Sequence, residues 1–532
     1  MTNDFETFAR VLEQQAVAKG DETFLLFEGE CIGYAELDRR ANRIAAALAR
    51  RGVGQGSGVA IMMNNSPAWL EVFFGTQKLG AYAVPINVAL RGEGLGYIID
   101  HSEAATLVVD ADLLDAVLPI RAERSGLSRL IVNTSYLVDP ATAPPVPADA
   151  VTLADLAAEG SPEPRDRDLT PGGKAVLLYT SGTTGLPKAV VVQRGGFSWA
   201  GVTALAQAAY GPGEVLYTCL PLFHANALFL SVMQALRCAL PIAIGRRFSA
   251  SRFWDDLRRY DASTFNALGA MIPILLKQPP RPSDRQHRVH VVFSAAAPKW
   301  AWEQFEERFG TKIWEAYGAV DGGGFMLFNM GNGPKGSMGV PPPGVDARVF
   351  REDGTEAEPG EVGELVFKVD DPVARRVDYF KNEKASAAKI RDGWFHTGDL
   401  ASRDDEGWFY FADRATDSLR RRGENISSFE IEKIVNQHPS VLESGAYGVP
   451  SELGEDDVML AVVKKPGMEV TPQELVAFCE QRMAKFMVPR YIDFRDSLPK
   501  TETHRVQKAN LKKEGVTATT WDREKTAPPR PA

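Results

Sequence analysis

The apolar run Ala175 to Tyr179 stops abruptly in Thr180-Ser181-Gly182-Thr183-Thr184-Gly185-Leu186-Pro187-Lys188, and apolar sequence resumes at Ala189. A short apolar run bounded by turn residues reads as a buried strand feeding a loop. The loop has the makings of a phosphate cradle. Glycine lets backbone N–H groups close around an anion, the hydroxyls of Thr180, Ser181, Thr183 and Thr184 add donors, and Lys188 adds a point charge. No Gly-Lys-Ser/Thr triplet closes the loop, so it differs from the common nucleotide-binding loop. A Ser/Thr/Gly cluster more often marks a plain surface turn, but this string is too long for that reading.

At 532 residues the chain is too long for one hydrophobic core, and 44% hydrophobic content can fill at least two. Its 60 basic and 69 acidic residues give a net charge of -9, which argues against a nucleic-acid surface and fits a protein handling small molecules. Cys31, Cys219, Cys238 and Cys479 are scattered without metal-ligand spacing, as expected of free thiols in a reducing compartment. The acidic start, Met1 to Glu6, has no basic segment followed by an apolar one, so a cytoplasmic location is expected. The most apolar long stretch, 226–245, is broken by Arg237 and Pro241, and no membrane span is expected.

Helical spacing of Leu37, Ala41, Ile44 and Leu48 predicts a helix over 34–51, followed by a strand at 59–63, a helix at 67–79 and a strand ending near Pro85. That rhythm belongs to a parallel sheet covered by helices. Further strands are expected at 106–109 and 130–132, and the proline-rich segment 139–164 reads as a poorly ordered linker. The run at 215–220 is apolar and that at 291–295 strand-like, and each ends in a chemically distinctive turn: Pro221-Leu222-Phe223-His224-Ala225-Asn226 and Ala296-Ala297-Pro298. Beyond residue 415 charged residues dominate, a helix begins near Phe429, and a strand at 458–464 and a helix at 472–483 complete a small α+β unit.

The phosphate loop, together with Trp314-Glu315-Ala316-Tyr317-Gly318, Gly393-Trp394-Phe395-His396-Thr397-Gly398-Asp399-Leu400 and Asp413-Arg414, resembles the ordered motifs of the AMP-forming acyl-CoA synthetase family. That adenylate-forming superfamily also includes luciferase and peptide-synthetase adenylation domains. The resemblance spans nearly the whole chain. It implies an α/β fold with a large N-terminal domain of helix-covered sheets, 1–415, and a small mobile α+β C-terminal lid, 416–532, hinged at Thr416. It also implies ATP, Mg²⁺ and coenzyme A as the small molecules bound, and leaves room for a homodimer.

Carried over by position, the resemblance gives nucleotide contacts to Thr180, Ser181, Gly182, Thr183, Thr184, Gly185 and Lys188, and to Ala296, Ala297 and Pro298 beside adenine. Glu315, Tyr317 and Gly318 join them, with Tyr317 stacking on the base, and Asp399 and Arg414 clamp the ribose. Asp321 is the implied magnesium residue. His224, Ala225, Asn226, Gly322 and Gly323 border the substrate, and Arg421, Arg422 and Gly423 face coenzyme A. Thr180, Lys188, His224 and Arg505 are the candidate catalytic residues.

Five residues at three places depart from the family pattern. Val320-Asp321 stands where threonine and glutamate are usual, Thr416 where the hinge usually has aspartate or lysine, and His504-Arg505 where glycine and the adenylating lysine are usual. Arginine keeps the charge but not the shape of an ammonium. Lys508 lies roughly 10 Å farther along an extended chain and on the opposite face, so it is no simple replacement. The leading expectation is an acid–CoA ligase. An ATP-dependent diazotase activating nitrite for an aryl amine, and a nucleotide-binding pseudoenzyme, are the alternatives.

Overall fold

The computed structural model describes residues 6–124, 126–164, 169–180, 186–197, 207–268, 271–295, 297, 299–322, 324–351, 353–369, 377–414, 418–421, 424–451, 454–499, 506 and 508–526. Two large sheets form the body of the molecule. The first has seven strands, in the order Val151–Thr152, Arg129–Asn133, Thr106–Asp110, Gly58–Met62, Tyr82–Pro85, Lys174–Thr180 and Lys188–Gln193. All neighbours are parallel except the last pair, the two strands flanking the phosphate loop.

The second sheet has eight strands, with Val291–Ala295 and Lys312–Ala319 parallel near one end and Gly324–Asn329 antiparallel at that edge. Between the sheets lies the helix Pro67–Lys78, almost wholly buried, whose Trp69, Phe73 and Phe74 are fully enclosed. Ser66 starts this helix by accepting the Trp69 N–H, and proline follows where no donor is needed. The helix ends on Lys78, which is 0% exposed and held at 2.7 Å by both Glu13 and Asp38. A buried ammonium with two carboxylates locks three helices together.

A third, antiparallel sheet of five strands includes Gly363–Lys368, Trp394–Arg403 and Phe409–Arg414. The C-terminal part has its own core. The helix Ser428–Val435 and the capped helix Pro472–Glu480 cover a sheet built on Val441–Pro450, Asp456–Lys464 and Tyr491–Phe494, with the hairpin Ser418–Arg421 and Glu424–Ser427 at its entrance. The α/β class with a smaller C-terminal unit is as expected, whereas Thr416 and the boundary beside it lie outside the described residues.

One expectation is corrected. Within 139–164 the chain adds the edge strand Val151–Thr152 and the helix Leu153–Glu159. Thr152 caps that helix through the Asp155 N–H, Leu156 is fully buried, and Arg51 grips Glu159 through two bonds of 2.7 and 2.9 Å. A cap and two buried apolar anchors, Leu153 and Leu156, outweigh the surrounding prolines. Among the described residues no helix is long and apolar enough to cross a membrane.

Candidate active site

The strands Val291–Ala295 and Lys312–Ala319 run side by side, placing Ser294 opposite Glu315. Glu315 is 6% exposed, and its carboxylate accepts the Ala297 N–H at 3.1 Å. The acid therefore fixes the small-residue turn expected beside adenine; of that turn, Ala296 and Pro298 lie outside the described residues. Two positions on, a register shift between Tyr317 and Gly318 breaks the ladder to the edge strand. Such an irregularity re-aims a side chain.

The Tyr317 hydroxyl donates to Asp399 Oδ2 at 2.6 Å, and its ring stacks against Phe367. Burial, then the Asp399 charge, push the Tyr317 phenol far above its usual range, so it remains a donor. Asp399 sits after Gly398, whose φ of +79° favours glycine. The turn is fixed from beneath: Glu364 accepts the Gly398 N–H at 3.1 Å and pairs with His396 at 2.8 Å, and Thr397 Oγ1 accepts the Asp399 N–H at 3.0 Å. Arg414 is the cross-strand partner of Asp399 in the antiparallel ladder. The motifs expected to hold adenine and ribose, distant in sequence, thus meet through one hydrogen bond.

On the phosphate side, Thr180 and Lys188 face each other across the loop, with Thr180 Oγ1 donating to the Lys188 carbonyl at 3.3 Å. Ser181, Gly182, Thr183, Thr184 and Gly185 lie outside the described residues. The segment 378–380 adds to the outer edge of the Lys188–Gln193 strand, through Val191 N–H to the Asp378 carbonyl at 2.8 Å and Phe380 N–H to the Ala189 carbonyl at 2.9 Å. That edge pairing brings the Tyr379 ring to 5.4 Å from Lys188 Nζ. The Tyr379 hydroxyl donates to Asp321 Oδ2, and Lys389 Nζ approaches the same oxygen at 3.0 Å. Gly322 closes the short helical turn that carries Asp321, and Gly323 lies outside the described residues.

The expected direct magnesium role of Asp321 does not fit this arrangement. Its Oδ2 already holds a hydroxyl and an ammonium, so a cation drawn to that oxygen would compete with Lys389.

His224 opens the helix that starts at Ala225. Its Nε2 lies 2.9 Å from Glu424 Oε1, on the hairpin of the C-terminal unit. Asn226 Oδ1 accepts from Asn266 at 2.9 Å, and Asn266 also reaches the Leu230 carbonyl inside the wide turn Leu228–Val232. Wide turns of this kind recur at functional sites.

Arg421 is a second correction. Its side chain is buried, 3.0 Å from Asp457, and donates to the Phe486 and Val488 carbonyls, so it fastens the small unit internally and does not face coenzyme A. Arg422, Gly423 and Arg505 lie outside the described residues. Lys508 is held by Glu432 at 2.7 Å and Ser428 at 2.6 Å, within its own unit. Tyr379, Lys389, Glu364 and Glu424 were missed in the sequence, where each is a single residue without a motif of its own.

The family model described as AMP-binding enzyme matches residues 12–373, and that of the AMP-binding enzyme C-terminal domain matches 430–505. The chain belongs to the AMP-binding enzyme family, the AMP-forming acyl-CoA synthetases. This synthetase is 31% identical over 509 residues to a crotonobetaine/carnitine–CoA ligase of Salmonella arizonae, covering 92% of its own length and 96% of the relative. Among solved structures it is similar to ATP-bound MatB from Rhodopseudomonas palustris, with 26% identity, a TM-score of 0.67 and coverage of 95% and 98%. It also shares the fold of an o-succinylbenzoate CoA synthetase from Bacillus subtilis, with 24% identity, a TM-score of 0.78 and coverage of 95% and 98%. The diazotase and pseudoenzyme readings draw no support from these relatives.

Proposed function

We propose that this synthetase activates a carboxylic acid with ATP and transfers the acyl group to coenzyme A. A carboxylate oxygen attacks the α-phosphorus and the bond to the β-phosphate breaks, giving acyl-AMP and pyrophosphate. The coenzyme A sulfur then attacks the acyl carbon, the carbon–oxygen bond to AMP breaks, and the thiol proton is lost to solvent. The first step needs stabilised phosphate charge and aligned reactants more than proton transfer.

The observation that carries this reading is the meeting of Glu315, Tyr317 and Asp399 with the turn at Ala297, together with the placing of Lys188 over Tyr379, whose hydroxyl donates to Asp321. Asp399 and Arg414 hold ribose in this account, and Lys188 with the loop hydroxyls holds phosphate. Arg505 supplies the adenylating cation that lysine supplies elsewhere in the family. Asn226 and Asn266, bonded to each other beyond His224, put polar side chains where the substrate is expected, which suits a short acid carrying a polar group better than a long alkyl chain.

The test is acid-dependent exchange of labelled pyrophosphate into ATP without coenzyme A. Exchange with at least one acid, lost in Arg505→Ala, is the expected result, and exchange independent of acid would contradict the first step.

A further inference from the structure

Asp321 occupies the position that the family likeness gives to magnesium, yet it is bound to this chain's own cation. Lys389 Nζ lies 3.0 Å from its Oδ2 and also donates to the Thr397 carbonyl at 2.9 Å, while the Tyr379 hydroxyl donates to that same Oδ2. The ammonium sits over the Phe395 ring at 5.3 Å, and both charged side chains are mostly buried, at 21% and 17% exposure. Each partner comes from a fixed element: the end of the helix Glu383–Ala388, the turn before Asp399, and the segment paired with the phosphate strand. A divalent ion bonded to Asp321 would stand within a few ångströms of that ammonium and be repelled by it.

We propose that Lys389 is a built-in cation that takes the place of a directly bound metal at Asp321, and so acts as a positioning residue for the nucleotide phosphates. Lys188 lies against the face of Tyr379 and Lys389 lies beyond its hydroxyl, so the unit of Lys188, Tyr379, Asp321 and Lys389 carries a net positive charge without any metal. A metal that arrives with the nucleotide is then held by phosphate oxygens and water, and Asp321 serves to aim Lys389.

This inference rests on the nucleotide-binding reading of the site, and the two can fail separately. Binding of α,β-methylene-ATP is measured by calorimetry, and Mn²⁺ affinity of the resulting complex by electron paramagnetic resonance. Asp321→Asn is expected to change the Mn²⁺ dissociation constant by less than about threefold. Lys389→Met, which frees the carboxylate, is expected to tighten it by about tenfold, a gain abolished in the double variant. Lys389→Arg keeps the charge and the wild-type affinity, and guards against a folding defect in the methionine variant. Loosening by about tenfold or more in Asp321→Asn, or unchanged affinity in Lys389→Met, would overturn the proposal. Absence of nucleotide binding in the wild type would overturn it together with the reading beneath it.

Discussion

Asp399 receives the Tyr317 hydroxyl at 2.6 Å while Thr397 and Glu364 fix the turn that carries it, so the carboxylate is aimed before a nucleotide arrives. A hydrogen bond to a charged group contributes about 1.5–3 kcal/mol. Tyr317→Phe keeps the ring and removes that bond, and is expected to raise the KM for ATP about tenfold with a smaller change in kcat. Steady-state kinetics check it, and an unchanged KM would mean that the bond only stiffens the apo site. Tyr317 and Asp399 were legible because each lies in a run of matching residues. Tyr379 and Lys389 were not, because Tyr379 reaches Asp321 across 58 positions through sheet-edge pairing that no local pattern encodes. Arg421 misled for a related reason: a basic cluster looks solvated in sequence, and only the fold shows its guanidinium facing Asp457 inside the small unit.

The strand Thr106–Asp110 ends on a carboxylate that gathers three donors, the Asn133 and Asn64 side-chain amides and the Asn64 N–H, and so ties together loops at one end of the seven-stranded sheet. Burial nonetheless raises the Asp110 pKa from 3.8 to about 6, because desolvation outweighs those bonds. The protonated form is favoured in the fold. Its contribution to stability is therefore fully present below pH 3.8 and lost as pH rises through about 6. Relative to Asp110→Asn, the wild type is expected to lose on the order of 3 kcal/mol between pH 3.5 and 7, measured by denaturant unfolding at each pH. A difference independent of pH would contradict this. Lys78→Met tests the layer between the sheets: leaving the partly buried Glu13 and Asp38 without their ammonium is expected to cost about 2–3 kcal/mol in the same assay, below the range for a fully buried pair. Periodicity located the helices Tyr34–Arg50 and Pro67–Lys78 to within a residue or so. It could not find the helix Leu153–Glu159, which is short, lies among prolines, and is stabilised by Arg51 from a distant helix.

Across the whole molecule the C-terminal unit meets the large one at His224 and Glu424, 200 positions apart. His224 lies on the large unit and Glu424 on the hairpin at the entrance of the small one, so the contact joins a residue expected to border the substrate to the unit expected to act as a lid. Glu424→Gln is expected to slow thioester formation by about tenfold while leaving acyl-AMP formation within about twofold, read by rapid quench of each half-reaction. Equal slowing of both steps would assign the contact to general packing.

The two-step transfer itself is tested most directly by identifying products. The protein is mixed with ATP, Mg²⁺ and coenzyme A against a panel of short carboxylic acids, with a parallel panel of nitrite and aryl amines, and the products are resolved by mass spectrometry. The account predicts AMP and a coenzyme A thioester in equal amounts with at least one acid, and acyl-AMP in its place when coenzyme A is withheld. AMP appearing only with nitrite and an amine, or no AMP with any acid, would contradict it.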